Sequence, residues 1–305
     1  MRPAEAPRPR SRDGVGPSCI ALPPGPWPTV LDFLSRRFPN VPAEDWLVRL
    51  RDGQVVDADG LALAPDAAYR PHHKLYYYRS VAREPRVPFE AEVIYRDEHL
   101  VVADKPHFLP VTPGGRHVQE TLLVRLKRQL GIDTLSPMHR IDRETAGLVV
   151  FTVRPEERDL YHALFRERAV AKHYEAIAPW HAGLVLPTVV RSRLVESLRS
   201  FMQMDEAAGA PNAETVVDLI EVAGAFARYG LQPLTGRKHQ LRVHMASLGL
   251  PILGDRIYPE LLPDLADGEE PDYRQPLRLL ARRLSFTCPV SGRPHHFESR
   301  RGLSF

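Results

Sequence analysis

An α+β fold is predicted by three features of the sequence. Alternating apolar segments come in neighbouring pairs: EVIYRD with HLVVADKP, TVVDLIEVAG with AFARYGLQPL, RLLARRLSFTCPV with GRPHHFES. Each pair is parted by a few turn residues and so reads as an antiparallel hairpin. Segments with helical spacing lie between these pairs, and the first eighty or so residues carry a separate pattern of two short helices ahead of a few strands.

The chain of 305 residues is long enough for about two domains with an ample core. Its 43% hydrophobic and 26% charged residues are those of a globular protein. A net charge of +3 is only mildly basic, so any nucleic-acid surface has to be local. Two isolated cysteines, Cys19 and Cys288, give neither a disulfide framework nor a zinc spacing. The apolar runs are too short for a membrane span, and MRPAEAPRPRSRDGVG lacks the apolar centre of a signal peptide. A cytoplasmic protein is expected.

In chain order, residues 1–26 are Pro-, Arg- and Gly-rich and read as a disordered tail. From residue 27 to 84 a small N-terminal α/β module is expected. TVLDFLSRRF places Val30, Leu31, Leu34 and Phe38 at helical spacing behind Thr29 as N-cap, and AEDWLVRLRDG is a second helix stopped by Gly53. QVVDADGLAL reads as a hairpin about Asp59-Gly60, with HKLYYYRS as a closing strand. Residues 81–88, VAREPRVP, read as a linker within the boundary to a larger domain over 85–305.

In that domain GGRHVQETLLVRLKRQLG reads as an amphipathic helix, and PEERDLYHALFRERAV as another entered at Pro155. AKHYEAIAP alternates as a strand with Tyr174, Ala176 and Ala178 on one face. Pro187 to Ala213 has no regular pattern and is expected to be a loop or insertion. TGRKHQLRVHMASLG turns at Gly236 into a helix, with Arg237 just before or at its start. PDLADGEEPDY reads as an acidic surface loop.

The chemistry centres on HRIDRETAGLVVF, His139–Phe151. It sets Asp142 between Arg140 and Arg143, on a loop ahead of an apolar strand. The flanking guanidiniums are expected to keep that carboxylate ionised, and an anchored carboxylate can act on an electron-poor carbon. A surface ion pair at a strand end is the plainer reading of Arg-x-Asp-Arg taken alone. Ser136, His139 and Asp142 invite a hydrolase reading, but Ser136 lacks the glycines of a nucleophile elbow. His239 and His244 invite a metal, but they are five apart and lack a carboxylate motif.

HRIDRETAGLVVF resembles the signature of the RluA family of pseudouridine synthases, His-Arg-Leu-Asp-x-x-Thr-Ser-Gly-Leu and an apolar run. TGRKHQLRVHMASLGLPILGD (Thr235–Asp255), KHYEAIAP (Lys172–Pro179) and VVADKPHFLPVTPGG (Val101–Gly115) resemble three further family motifs in the same order. The matches span roughly residues 90–300. The chain departs from the family at Ile141 (Leu), Ala146 (Ser), Phe108 (Gly) and Leu250 (His).

The resemblance implies a pseudouridine synthase fold, a mixed and mostly antiparallel sheet with flanking helices, preceded by an N-terminal module that is either similar to the S-four-like RNA-binding domain or a purely structural appendage. It implies isomerisation of uridine in structured RNA, large-subunit ribosomal RNA before transfer RNA, by a monomer without metal or organic cofactor. Asp142 would act at the ribose, by adding to it or by removing a proton from it. Tyr174 would stack on the uracil and relay a proton. Arg237 would pair with Asp142, and Arg140 would fill the space left by the extruded base. Lys238 and Arg242 would meet phosphates, His139 would support the loop within the RNA site, and Lys105 would either shape the floor of the RNA cleft or serve structure. An RNA-binding protein on the same fold that has lost catalysis is the alternative.

Overall fold

The computed structural model describes residues 9–79, 81, 84–263 and 272–305. They form two compact units, one of residues up to Glu84 with Pro113–Gln119 and Val124–Asp133, the other of Pro85–Thr112, Glu120–Leu123 and Thr134–Phe305.

The first unit opens with strand β1 (Ser18–Ala21), which corrects the reading of residues up to 26 as a disordered tail; residues 1–8 lie outside the described residues. Pro-rich flanks hid a four-residue strand whose order comes from its partner, not from its own pattern. Helix α1 (Val30–Arg37) is entered through a capping box, in which Thr29 accepts from the Asp32 amide and Asp32 accepts from Thr29. Helix α2 (Ala43–Arg51) follows, then β2 (Val55–Val56) and β3 (Lys74–Tyr77), in a three-stranded sheet of order β1-β3-β2. Phe33, Leu34, Trp46, Leu50, Val55 and Leu75 form its core.

The second unit is built on one eleven-stranded sheet. Strands β4 (Glu92–Arg96) and β5 (Leu100–Lys105) form a hairpin whose turn is fixed by the Asp97 carboxylate accepting from the amides of His99 and Leu100. Helix α3 (Leu122–Leu130) straddles the division between the units, which the sequence reading placed wholly in the larger domain. Next come β6 (Ser136–Pro137), β7 (Ala146–Thr152), helix α4 (Arg158–Arg166), β8 (Ala171–Pro179), β9 (Thr188–Glu196) and β10 (Met204–Ala207). Then follow β11 (Ala213–Ala223), β12 (Phe226–Pro233), helix α5 (Gln240–Ser247), β13 (Leu279–Thr287) and β14 (Pro294–Glu298). The acidic stretch PDLADGEEPDY falls largely on residues outside the described ones.

Strand order is β10-β9-β11-β12-β8-β13-β7-β5-β4, with β14 on β13 and β6 on β7. All pairs are antiparallel except β7 with β13, which makes the sheet mixed. The expected loop from Pro187 to Ala213 is therefore a hairpin, β9–β10, paired to β11. Its inward positions, Thr188, Val190, Ser192 and Leu194, mix polar with apolar residues while Val189 faces out, so no hydrophobic alternation announced it.

Every residue of β7 is buried, and each fully buried Val or Leu contributes about 1.5–3 kcal/mol. Helix α5 packs Leu241 and Met245 onto a core of β8, β11 and β12 side chains that includes Ala176, Ala178, Val217 and Tyr229, with Tyr174 against its margin.

Candidate active site

Asp142 stands on the loop between β6 and β7, and backbone geometry fixes the stretch that leads from it into β7. Thr145 N–H donates to the Asp142 carbonyl at 3.2 Å. Gly147 has φ +110, and a Cβ there would lie 2.3 Å from the Ala281 carbonyl oxygen, so the parallel contact of β7 with β13 admits only glycine.

The loop is held from beneath by the Lys-Pro segment. Lys105 is fully buried, and its ammonium donates to the carbonyls of Pro106 (2.9 Å), Leu109 (2.8 Å) and Arg143 (3.0 Å). All three ammonium protons are thereby used. Burial pulls its pKa down to about 7. Lys105 is thus an internal brace, the structural one of the two roles expected of it, and it does not reach RNA itself. His107 Nδ1 donates to the Glu144 carbonyl at 2.6 Å, with a pKa lowered to about 4 by burial. Phe108 takes the left-handed conformation (φ +67) at the position where the family has glycine, and its ring packs against Phe89 and Tyr273.

The two arginines beside Asp142 in sequence do not pair with it. Arg143 Nε donates to Glu144 Oε1 at 2.7 Å, and Arg140 extends, exposed, along the cleft. Arg237 does not pair with it either: its Nε donates to the Asn212 carbonyl at 3.2 Å on the cleft rim. The partner is Arg242, whose guanidinium donates to Asp142 Oδ2 at 3.3 Å and engages Asp255 with two bonds of 2.8 and 2.6 Å.

The reason is local. His239 adopts a left-handed conformation (φ +54) and starts α5 at Gln240, which turns Arg242 inward and leaves Arg237 ahead of the helix. The Arg242 side chain is 1% exposed, which removes it from the phosphate contacts expected of it. Burial works against its charge, yet Asp255 and then Asp142 hold its pKa above the usual arginine value.

His239, set aside in sequence as an improbable metal ligand, brings Nε2 to 3.9 Å from Asp142 Oδ2, while its Nδ1 lies 3.0 Å from the Tyr258 hydroxyl. Burial lowers its pKa, with Asp142 acting the other way. His244 instead faces Thr215 and Ser192 hydroxyls. Asp255 ended the longest quoted motif but carried no signal of its role, since nothing in sequence shows that it would reach an arginine thirteen residues earlier. It accepts from the Ile257 and Tyr258 amides as well.

Tyr174, on β8, lines the same cleft, its pKa raised by burial and then by the Asp142 charge. Lys172, two residues earlier, lies on the same strand face by the period of two. Its ammonium donates to the Thr235 carbonyl at 2.9 Å, and burial, then Arg168, lowers its pKa to about 8. That periodicity could have flagged it from sequence. His139 stacks on Phe165 with centroids 4.9 Å apart, and its Nε2 accepts from the Val150 amide at 3.2 Å. Burial, then Lys172, lowers its pKa to about 3, so it is a neutral support of the loop.

These groups line an open cleft of about 900 Å³. Arg140, Arg166, Arg168, Lys172, Arg237 and Lys238 line it with positive charge, and Asp142 is the one carboxylate among its lining residues. Such a trough, with a tyrosine beside one carboxylate, fits a polyanion that brings an aromatic ring and a polar, uncharged carbon framework to the acid.

Comparison with known proteins agrees with this reading. A family model described as RNA pseudouridylate synthase matches residues 99–247. The chain is similar to an RNA pseudouridine synthase of Synechocystis, 32% identical over 75% of this chain and 79% of that protein. It is similar to the dual-specificity RNA pseudouridine synthase RluA of Haemophilus influenzae, 33% identical over 68% of this chain and 92% of that protein. Among solved structures, human RNA pseudouridylate synthase domain containing 4 superposes with a TM-score of 0.52 at 29% identity, covering 70% of this chain and 88% of that one.

Proposed function

Since the chain belongs to the RluA-type RNA pseudouridine synthases, enzymes that isomerise uridine in RNA, we propose that Asp142 is its catalytic carboxylate and that large-subunit ribosomal RNA is its substrate. The observation that carries the first part is that Asp142 is the one carboxylate lining a cationic cleft, half-buried and held by Arg242.

Isomerisation breaks the bond between ribose C1′ and uracil N1, turns the base, and joins C1′ to C5; the C5 proton leaves and N1 gains one. Positive charge develops at C1′ as the base departs, as in glycoside cleavage. A fixed carboxylate beside the sugar stabilises that charge. Arg242 and His239 keep Asp142 pointed into the cleft rather than at its own neighbours in sequence.

The target base is stacked in structured RNA and has to be extruded at a cost of a few kcal/mol. Tyr174 offers it a ring to lie on, and its raised pKa keeps the phenol protonated through neutral pH, suited to passing a proton rather than holding charge. Arg140, exposed and next but one to Asp142, fills the vacated position. Arg237, Lys238, Lys172, Arg166 and Arg168 meet backbone phosphates on either side.

The choice of large-subunit ribosomal RNA rests on analogy alone: two helices followed by strands in the N-terminal unit resemble an S-four-like RNA-binding module. Mapping pseudouridines in ribosomal and transfer RNA from cells lacking the gene tests it. Loss at a large-subunit site is expected. Loss confined to transfer RNA contradicts the substrate, and no loss in either RNA contradicts the function.

A further inference from the structure

The β9–β10 hairpin ends in seven residues, 197–203, that are wired as a rigid turn. Ser197 N–H donates to the Gln203 carbonyl at 3.2 Å and Gln203 N–H to the Ser200 carbonyl at 3.0 Å. The Arg199 and Met202 amides donate to the Ser197 and Ser200 hydroxyls, both at 3.2 Å. The turn is also fastened to the body. Gln203 Nε2 donates to the Ile257 carbonyl at 2.9 Å, and Met202 packs on a core of Leu194, Met204, Val243 and Ile257.

A turn so held nevertheless presents two large apolar side chains to solvent: Leu198 is 103% exposed and Phe201 86% exposed. Single exposed apolar residues need no explanation. Two of them within four residues, on a turn fixed in place, form a small apolar platform.

The platform is continuous with the cleft. Lys238, which lines the cleft, donates its ammonium proton to the Phe201 carbonyl at 2.8 Å. Arg237, its neighbour on the same rim, rests on the Asn212 carbonyl, and Asn212 in turn bonds the Leu194 amide and carbonyl of β9. The one arginine of the turn, Arg199, is paired with Asp205 at 3.3 Å, and Glu196 precedes the turn, so the charge for a phosphate backbone comes from Arg237 and Lys238 on the rim.

We infer that this turn is a base-stacking platform: Phe201, flanked by Leu198, takes an unpaired nucleobase of the substrate RNA beyond the one held at Tyr174. The inference rests on the cleft being the RNA site. An aromatic ring accepts any base by its face, and the adjoining Arg237–Lys238 rim supplies the charge that tracks the backbone. Phe201 therefore sets how the strand is gripped outside the catalytic position, and takes no part in the isomerisation itself.

The test uses the full-length protein and a fluorescently labelled single-stranded oligouridine, with Phe201→Ala, Phe201→Trp and Leu198→Ala titrated over a range of salt. Phe201→Ala is expected to weaken binding by about tenfold, with Phe201→Trp at or above wild type and Leu198→Ala between. The melting temperature and the slope of log affinity against log salt should stay as in wild type, because a stacking contact releases no counterion. Wild-type affinity in Phe201→Ala overturns the inference, as does a loss accompanied by a shallower salt slope, or a loss of self-association with RNA binding intact. A wild-type protein that binds no RNA is a different failure: it removes the cleft assignment, and the platform with it.

Discussion

Arg242 joins two carboxylates, Asp142 at 3.3 Å on one side and Asp255 at 2.6 and 2.8 Å on the other, across a sequence distance of 100 residues to the first. The bidentate contact fixes the guanidinium, and the single contact to Asp142 is what remains for aiming. Arg237, five residues earlier, has no part in this. Substituting Arg242 by Met should lower kcat by about a hundredfold or more. It should also destabilise the fold by about 3–5 kcal/mol, because Asp255 is left buried without its counter-charge. Arg237→Ala should leave kcat and the melting temperature near wild type and raise KM a few-fold. A reversal of the two phenotypes would contradict the assignment.

Lys172 is held at a pKa of about 8 by its burial. It is protonated below that pH and neutral above it, so its attraction for phosphate is present at pH 7 and lost as the pH rises through 8. RNA affinity of the wild type should therefore weaken between about pH 7 and 9 more steeply than that of Lys172→Met, which should show no such limb. Equal pH profiles for the two proteins would remove Lys172 from the RNA contacts. A titration followed by fluorescence anisotropy decides it.

Gly147 tests the anchoring of the loop that carries Asp142. A methyl group there meets the Ala281 carbonyl at 2.3 Å, and φ +110 is closed to alanine. Gly147→Ala should lower stability by at least about 1–3 kcal/mol from backbone strain alone and abolish turnover, through displacement of β7 from β13. A protein that melts normally and remains active would show that the loop tolerates movement.

Arg166 and Arg168 flank the end of α4 and line the cleft. If each meets one phosphate, the double substitution to alanine should reduce the log–log salt slope on single-stranded RNA by about 0.7 for each phosphate no longer neutralised. kcat at saturating RNA should be little changed. An unchanged slope would place both side chains in solvent during binding.

Much of the fold was legible because its strands come in neighbouring apolar pairs: β11 and β12 bury every second residue over most of their paired length, while β5 is buried throughout and was legible as an apolar run beside β4. Asp142 and Tyr174 were legible through their motifs. What was not legible depended on contacts remote in sequence. Strand β1, inside a proline-rich stretch, is ordered by pairing with β3, from Ser18 against Tyr77 to Ala21 against Lys74. Strand β10 (MDEA) has no apolar alternation and exists because β9 pairs with it. The choice of Arg242 over Arg237 turned on one left-handed residue, His239, that sets where α5 begins. Sequence left Lys105 between the cleft floor and a structural role; only three converging carbonyls, remote from one another in part, explain its burial.

The proposed role of the Asp142 carboxylate is to act on the ribose of the bound uridine. Tritium release from C5-labelled RNA, measured for wild type and Asp142→Asn alongside RNA affinity, tests it most directly. No release above background is expected for Asp142→Asn, with affinity within about tenfold of wild type because phosphate contacts to the cations of the cleft dominate binding. Release by Asp142→Asn at a rate near wild type would contradict it.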